Sequence, residues 1–367
     1  MERHTIKPRD NFLERIEGSG LVWSDDYWDD TAYYSFNSNQ IAEIEKATEE
    51  CHQMFIEAGD FVINNDLFDD FGIPEHAREM IVETWNNEPP CLNYGRFDFG
   101  YDGVNPPKLF EYNCDTPTSL LEASVIQWDW KTDVFPNLDQ FNNIDAKLIS
   151  RYNSLGVKEI HFGYVNDEVG EDPVTVAYHM DCAERAGIKP IMLDMNDVGY
   201  TNEFVDADEN PIQNFFHLYP WEWMITEEFG VQIPYSDILW LEPAWKMMWS
   251  NKAILPILYK LYPDSPYLLK SSFDNDVGSN YVKKPILARE GANITIHTDK
   301  IKDLYSEGRY NTETCIYQEF YSLPEFEGKY PVIGSWCMDG YAVGMGIRED
   351  GLITGNKAKF RPHVIRD

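Results

Sequence analysis

Apolar residues recur at steps of three and four from Gln40 to Asn64, where Ile41, Ile44, Ala47, Cys51, Met54, Phe55, Ala58 and Val62 fall on one face. That period predicts an amphipathic helix, and residues 74–85 predict a second. The period then changes. Residues 92–99 and 108–112 alternate as strands, joined through Tyr101-Asp102-Gly103, in which Asp-Gly is a strong turn signal. A helix is expected from Pro117-Thr118-Ser119, with Ser119 and Glu122 as a capping box. From Lys158 the pattern reads strand, helix, strand over 159–164, 173–186 and 188–193. Asp172 is placed at the helix N-cap, Pro173 at its first position and Gly187 just beyond its end. Residues 245–262 predict a helix kinked by Pro256. Strands are expected near 281–288, 294–297 and 315–321, and a last hairpin over 332–347 about Asp339-Gly340.

These elements predict a mixed α+β and α/β fold of interwoven lobes: 1–150, with the first hairpin; 151–244, an α/β lobe; and 245–367, an α+β lobe rich in antiparallel sheet. With 367 residues and 43% apolar content the chain can bury a sizeable core. The formal charge of −33 repels nucleic acid phosphates and anionic lipid, and no basic patch offsets it, so neither is an expected partner. The first residues, MERHTIKPRD, lack the apolar centre of a signal peptide, which predicts a cytoplasmic protein. Six scattered cysteines without a CxxC pair predict buried or free thiols. His179-x-x-Cys182 has metal-ligand spacing but no second half. The absence of HExxH, GxSxG and GxxxxGK[ST] disfavours zincins, α/β-hydrolases and P-loop enzymes.

Alternation puts Arg96 and Asp98 on one face of the first hairpin strand, and Glu111 and Asn113 on the same face of its partner. Two carboxylates and an amide oxygen suit a hard cation such as Mg²⁺, and spacing alone fits a solvent-facing polar strand pair equally well. Thr116, Thr118 and Ser119 follow at an expected helix N-terminus, where hydroxyls and free N–H groups attract anions or simply cap the helix. Lys284 lies in a strand running into a short loop, Arg289 to Asn293, that reads as a lid or as an ordinary hairpin turn. Lys252 offers a second phosphate contact or a solvated surface charge. Gln318 and Glu319 offer hydrogen bonds and a carboxylate for a ribose. In the acidic run 166–172, Glu168 and Glu171 could hold ammonium groups or merely favour the helix dipole.

The segments Arg96-Phe-Asp98 and Leu109-Phe-Glu111-Tyr-Asn113-Cys-Asp115-Thr-Pro-Thr-Ser-Leu-Leu-Glu122 resemble the signature of the glutathionylspermidine synthase family, in its C-terminal synthetase domain. Tyr27-Trp28, Phe36, Lys283-Lys284-Pro285, Arg289-Glu290-Gly291 and Gly346-Ile-Arg348-Glu-Asp follow in the family's order, so the resemblance spans the chain. It implies an ATP-grasp fold with ATP between two α+β lobes. By the same resemblance, Asp98, Glu111 and Asn113 hold Mg²⁺, and Arg96 meets the transferred phosphate. Lys252 and Lys284 touch ATP phosphates, Gln318 and Glu319 the adenosine, and Arg289 and Gly291 belong to the lid. Thr116 and Thr118 lie beside the acid, and Arg348 faces an acyl phosphate. The implied activity is an ATP-dependent ligation of a peptide-like or glutathione-like acid to a polyamine-like amine. The sequence lacks the amidase domain of the bifunctional members, which leaves both substrates open. Two other readings remain: a non-catalytic polyamine or peptide binder on the same fold, and a carbohydrate-active enzyme with Asp98 and Glu111 as its catalytic pair, suggested by 11 Trp and 22 Tyr.

Overall fold

The structure is a computed structural model that describes residues 1–21, 27–166, 170–310 and 314–367. Its centre is a five-stranded antiparallel sheet in the order Lys359–Arg361, Tyr341–Asp350, Tyr330–Met338, Tyr94–Gly100, Lys108–Asn113. The first hairpin and the last therefore share one sheet, although more than 200 residues separate them. Helix Ser38–Asn64 packs its apolar face on this sheet, with Ile44, Ala47, Cys51, Phe55, Ala58 and Val62 fully buried. Asn37 and Gln40 cap it reciprocally: Asn37 Oδ1 accepts the Gln40 N–H at 2.9 Å, and Gln40 Oε1 accepts the Asn37 N–H at 3.0 Å.

A parallel sheet lies on one side, in the order Leu239–Leu241, Asn214–His217, Glu159–Tyr164, Lys189–Asp194. Its helix covers Glu171–Arg185, two residues earlier than the sequence pattern suggests, so Asp172 lies in the first turn and Gly170, at φ 87°, takes the cap position. Proline is accepted anywhere in a first turn, because those N–H groups have no intrahelical partner. On the other side is a second antiparallel sheet, Ser271–Ser272, Cys315–Glu319, Tyr281–Pro285, Thr295–His297, Leu304–Tyr305.

Two local expectations are corrected. Residues 245–262 form two helices, Lys246–Trp249 and Ile254–Leu261, broken at 250–253 rather than kinked at Pro256. Pro256 sits in the opening turn of the second helix, where it costs nothing. The break is held by Asn251, whose Nδ2 donates to Phe71 O at 2.8 Å and whose Oδ1 accepts the Ala253 N–H at 2.9 Å. Nor do Ser119 and Glu122 form a capping box. Ser119 is left-handed at φ 67° and its hydroxyl pairs with Tyr27 Oη at 2.8 Å, while Glu122 opens a buried π-helical turn, Glu122–Ile126. Among the described residues no helix is long and apolar enough to cross a membrane, and none of the six cysteines forms a disulfide.

Candidate active site

Strand register turns the alternation of Arg96/Asp98 and Glu111/Asn113 into contact, because Asp98 faces Glu111 and Arg96 faces Asn113 across the hairpin. Asn113 Nδ2 lies 3.2 Å from both Asp98 Oδ2 and Glu111 Oε1. Arg96 forks onto Asp98, with Nε to Oδ1 at 2.7 Å and Nη2 to Oδ2 at 3.2 Å, and its Nη1 donates to Thr118 O at 2.6 Å. Gly334 makes this possible: a Cβ there would stand 2.7 Å from Arg96 Cδ. Arg348, two strands away, donates to Asp98 Oδ2 at 2.5 Å.

The cations opposite come from the second antiparallel sheet and from the helix break. Lys252 Nζ lies 2.9 Å from Glu111 Oε2 and donates to Ala288 O at 2.6 Å. Lys284 Nζ donates to Gln318 Oε1 at 2.7 Å and Phe110 O at 3.1 Å. Burial alone would push the Glu111 carboxyl up, but the ammonium groups of Lys252 and Lys284 outweigh it and hold the carboxyl well below the usual range. Burial pulls Lys284 down to about 8 against the attraction of Glu111. Gln318 is spent on positioning, since its Nε2 also donates to Leu109 O at 3.2 Å.

These side chains line one cleft of about 700 Å³ between the sheets. Asp98, Glu111, Asn113, Arg96, Arg348, Lys252, Lys284, Arg289, Gly291, Gln318, Glu319, Thr116, Thr118 and Glu171 all reach it. Glu168 lies outside the described residues. The loop after Lys284 is fastened by polar contacts. Arg289 pairs with Glu222, its Nη2 is 3.8 Å from Asp115 Oδ2, and Asn293 Nδ2 donates to Tyr305 Oη at 2.6 Å and Gly308 O at 3.1 Å. His179, the residue with metal-ligand spacing, has its Nδ1 2.9 Å from Tyr152 Oη. Among the described residues, no group of three or more His, Cys, Asp or Glu is arranged for a metal. Two carboxylates and an amide do fit Mg²⁺ in donor chemistry, as a partial shell that phosphate oxygens and water would complete.

Several residues of the cleft escaped the sequence reading. Asp115 lies within the quoted segment and was legible there as a third acid, whereas Glu222 and Trp223, in a four-residue helix, carry no motif. Behind the cleft, Glu122 carries a second departure from its expected role: burial, with a smaller push from Glu171, raises its carboxyl to about 7. A carboxyl raised on folding contributes stability that is full below its unfolded value, near 4.5, and is lost as pH rises through about 7. Glu122→Gln, which fixes a neutral group, is therefore expected to flatten the decline in stability between pH 5 and 8 and to exceed the wild type at pH 8 by roughly 1–3 kcal/mol. Urea unfolding at several pH values checks this. Parallel pH profiles for the two proteins would show that Glu122 is not the group responsible.

The pattern of the family described as glutathionylspermidine synthase preATP-grasp matches residues 3–366. A Haemophilus influenzae protein described provisionally as an acid–amine ligase is 40% identical over 358 residues, 92% of this chain and 90% of its own. Trypanothione synthetase of Crithidia fasciculata is 33% identical over 349 residues, 84% of this chain and 53% of its own. The bifunctional glutathionylspermidine synthetase/amidase of Escherichia coli is 25% identical over 389 residues, 95% of this chain and 61% of its own. The chain thus matches little more than half the length of these last two relatives. A solved glutathione synthetase-like effector from Globodera pallida shares the fold, with a TM-score of 0.60 at 10% identity over 98% of both chains.

Proposed function

Because the chain belongs to the glutathionylspermidine synthase family, we propose that it is an ATP-dependent carboxylate–amine ligase of ATP-grasp architecture, joining a peptide-like acid to a polyamine-like amine. The observation that carries this reading is the convergence, in one cleft, of the Asp98/Glu111/Asn113 group with Lys252, Lys284, Arg96 and Arg348. Phosphoryl transfer to a carboxylate asks the protein for positioning and charge neutralisation rather than covalent chemistry. Asp98, Glu111 and Asn113 would hold Mg²⁺, which when bound supplies Lewis-acid neutralisation of phosphate charge.

In this reading the substrate carboxylate, beside Thr116 and Thr118, attacks the γ-phosphorus and ADP departs. Lys252 and Lys284 hold the phosphates by giving up part of their contact with Glu111 and Gln318. Arg96 and Arg348 turn from Asp98 toward the transferred phosphoryl group. The amine then attacks the acyl carbon, phosphate leaves, and the amide forms with loss of the amine's proton. Gly291 lets the 289–293 loop turn at φ 69° over the cleft, and Glu319 takes the ribose hydroxyls. Glu171 is assigned a distal cationic part of the substrates, and Glu168 lies outside the described residues. Nucleotide then belongs to residues 245–367, the metal group to 1–150, and substrate contacts to 151–244 together with Thr116 and Thr118. An Asp98/Glu111 sugar-cleaving pair is a poorer fit, because Asp98 spends its oxygens on Arg96, Arg348 and Asn113.

Mg-ATP at about 100 times its dissociation constant is expected to stabilise the protein by roughly 2.7 kcal/mol. Thermal denaturation reads the shift and calorimetry the binding; no binding in saturating Mg²⁺ overturns the nucleotide site. ADP release across a panel of acids and amines then tests the ligation: release should require one of each. Release that never depends on an amine would overturn it.

A further inference from the structure

The geometry points to Arg289 as the placeholder of a substrate ammonium group: Asp115, Glu222 and the Trp223 ring form the subsite for the acceptor's reacting amine, which binds there by displacing Arg289. This rests on the ligase reading and goes beyond it, assigning the amine's position and its coupling to the 289–293 loop.

Three observations carry it. First, Asp115 is 3% exposed and lines the cleft, and only its Oδ2 is engaged, accepting the Trp221 N–H at 3.0 Å. Its Oδ1 is buried without a hydrogen-bond partner. A carboxylate oxygen withdrawn from water without a donor marks a place where a donor belongs. Second, a cation already fills this subsite in part. Arg289 pairs with Glu222, stands 3.8 Å from Asp115, and holds its guanidinium 5.7 Å from the Trp223 ring centre. Paired carboxylates beside an indole face are the chemistry that recognises an alkylammonium ion. A flat guanidinium anchored through a loop reaches Glu222 and leaves Asp115 Oδ1 unserved, whereas a compact ammonium carries three donors that can be shared among the oxygens. Third, Asp115 is two residues beyond Asn113, so an amine held there lies on the same chain segment as the metal group.

Exchanging one cation for another leaves the buried Asp115 and the half-buried Glu222 compensated throughout. The displaced Arg289 is then free to move with its loop toward nucleotide phosphate. Amine occupancy and loop position are thereby linked, and the nucleotide-free cleft holds its amine site closed with its own side chain.

Calorimetry of spermidine binding without nucleotide tests this with substitutions of opposite expected sign. Arg289→Met should tighten spermidine about tenfold, the gain expected if Arg289 occupies the subsite about 90% of the time. Glu222→Gln should weaken it, and Arg289→Lys, which keeps a competing cation, should stay near the wild type. A purely structural Arg289–Glu222 pair would shift Arg289→Met and Glu222→Gln in the same direction. Unchanged or weaker binding by Arg289→Met, or no binding by either protein, overturns the proposal, and the ADP-release assay on the wild type judges the ligase reading separately.

Discussion

Lys246→Met is expected to destabilise the protein by about 3–5 kcal/mol, the loss typical of breaking a buried ion pair by removing one partner. Lys246 and Glu242 are both fully buried, with Nζ 3.1 Å from Glu242 Oε2. Burial alone would lower the Lys246 ammonium, yet the attraction of Glu242 reverses this and holds it above its ordinary value. Lys246 Nζ donates to Tyr94 O at 2.9 Å, and Glu242 accepts the N–H groups of Leu92 at 2.8 Å and Tyr94 at 3.3 Å. Methionine keeps the contact of this side chain with Trp245 and Trp249 but leaves the buried Glu242 charge without its cation. Urea unfolding reads the loss. The double variant Glu242→Gln with Lys246→Met should lose less than Lys246→Met alone, since no charge remains buried and the glutamine oxygen still accepts one of the two backbone donors. A Lys246→Met protein within about 1 kcal/mol of wild type, the range of an ordinary substitution, would contradict this account.

The second large effect concerns turnover. Glu111→Gln is expected to cut ADP formation by about 10²- to 10³-fold, the scale on which removal of one preorganised charge-stabilising group acts. Glutamine keeps the shape, and its amide oxygen can still accept from one of the two donors, Lys252 or Asn113. The negative charge that would hold a divalent cation is gone, so half-maximal activity should require more Mg²⁺. Stability should fall less steeply than turnover, because the Lys252 and Lys284 ammonium groups retain carbonyl partners at Ala288 and Phe110. Rates at several Mg²⁺ concentrations, set beside thermal denaturation, separate the outcomes. Wild-type turnover would remove Glu111 from the metal group, and an insoluble protein would make it chiefly the counterion of the two lysines.

What could be read from the sequence was local. The helix over 38–64 and the first hairpin announce themselves because a period of 3.6 or 2 lies within a few turns of chain, and the convergence of Asp98, Glu111 and Asn113 follows from pairing adjacent strands. The residues alone offered Lys252 and Lys284 only beside ordinary alternatives, so their assignment to phosphates came from resemblance, as did Arg348 altogether. Ser119 misled because its capping pattern is local while its hydroxyl is claimed by Tyr27, 92 residues earlier. Pro256 misled similarly: the break before it is set by Asn251 reaching Phe71, 180 residues away. Glu222 enters the cleft because Trp221 N–H docks on Asp115 across 106 residues, a contact that no single-sequence period encodes.

The seams on either side of the central sheet differ in kind. Toward the parallel sheet the join is the desolvated Glu242–Lys246 pair, reinforced by Arg151, whose guanidinium donates to Cys91 O at 2.8 Å and Leu92 O at 3.0 Å. Toward the second antiparallel sheet, beside apolar packing of Leu109 with Tyr267 and Ile316, it is the Lys252–Glu111 pair and hydrogen bonds at the outer hairpin strand: Leu109 N–H to Tyr267 O at 2.8 Å, Gln318 to Leu109 O, and Lys284 to Phe110 O. Separating a buried ion pair is costly, whereas exchanging a hydrogen bond for one to an incoming ligand costs little. The central sheet is therefore joined at one seam by charge sealed away from the cleft and at the other by charge that lines it, so a ligand entering the cleft meets only the second.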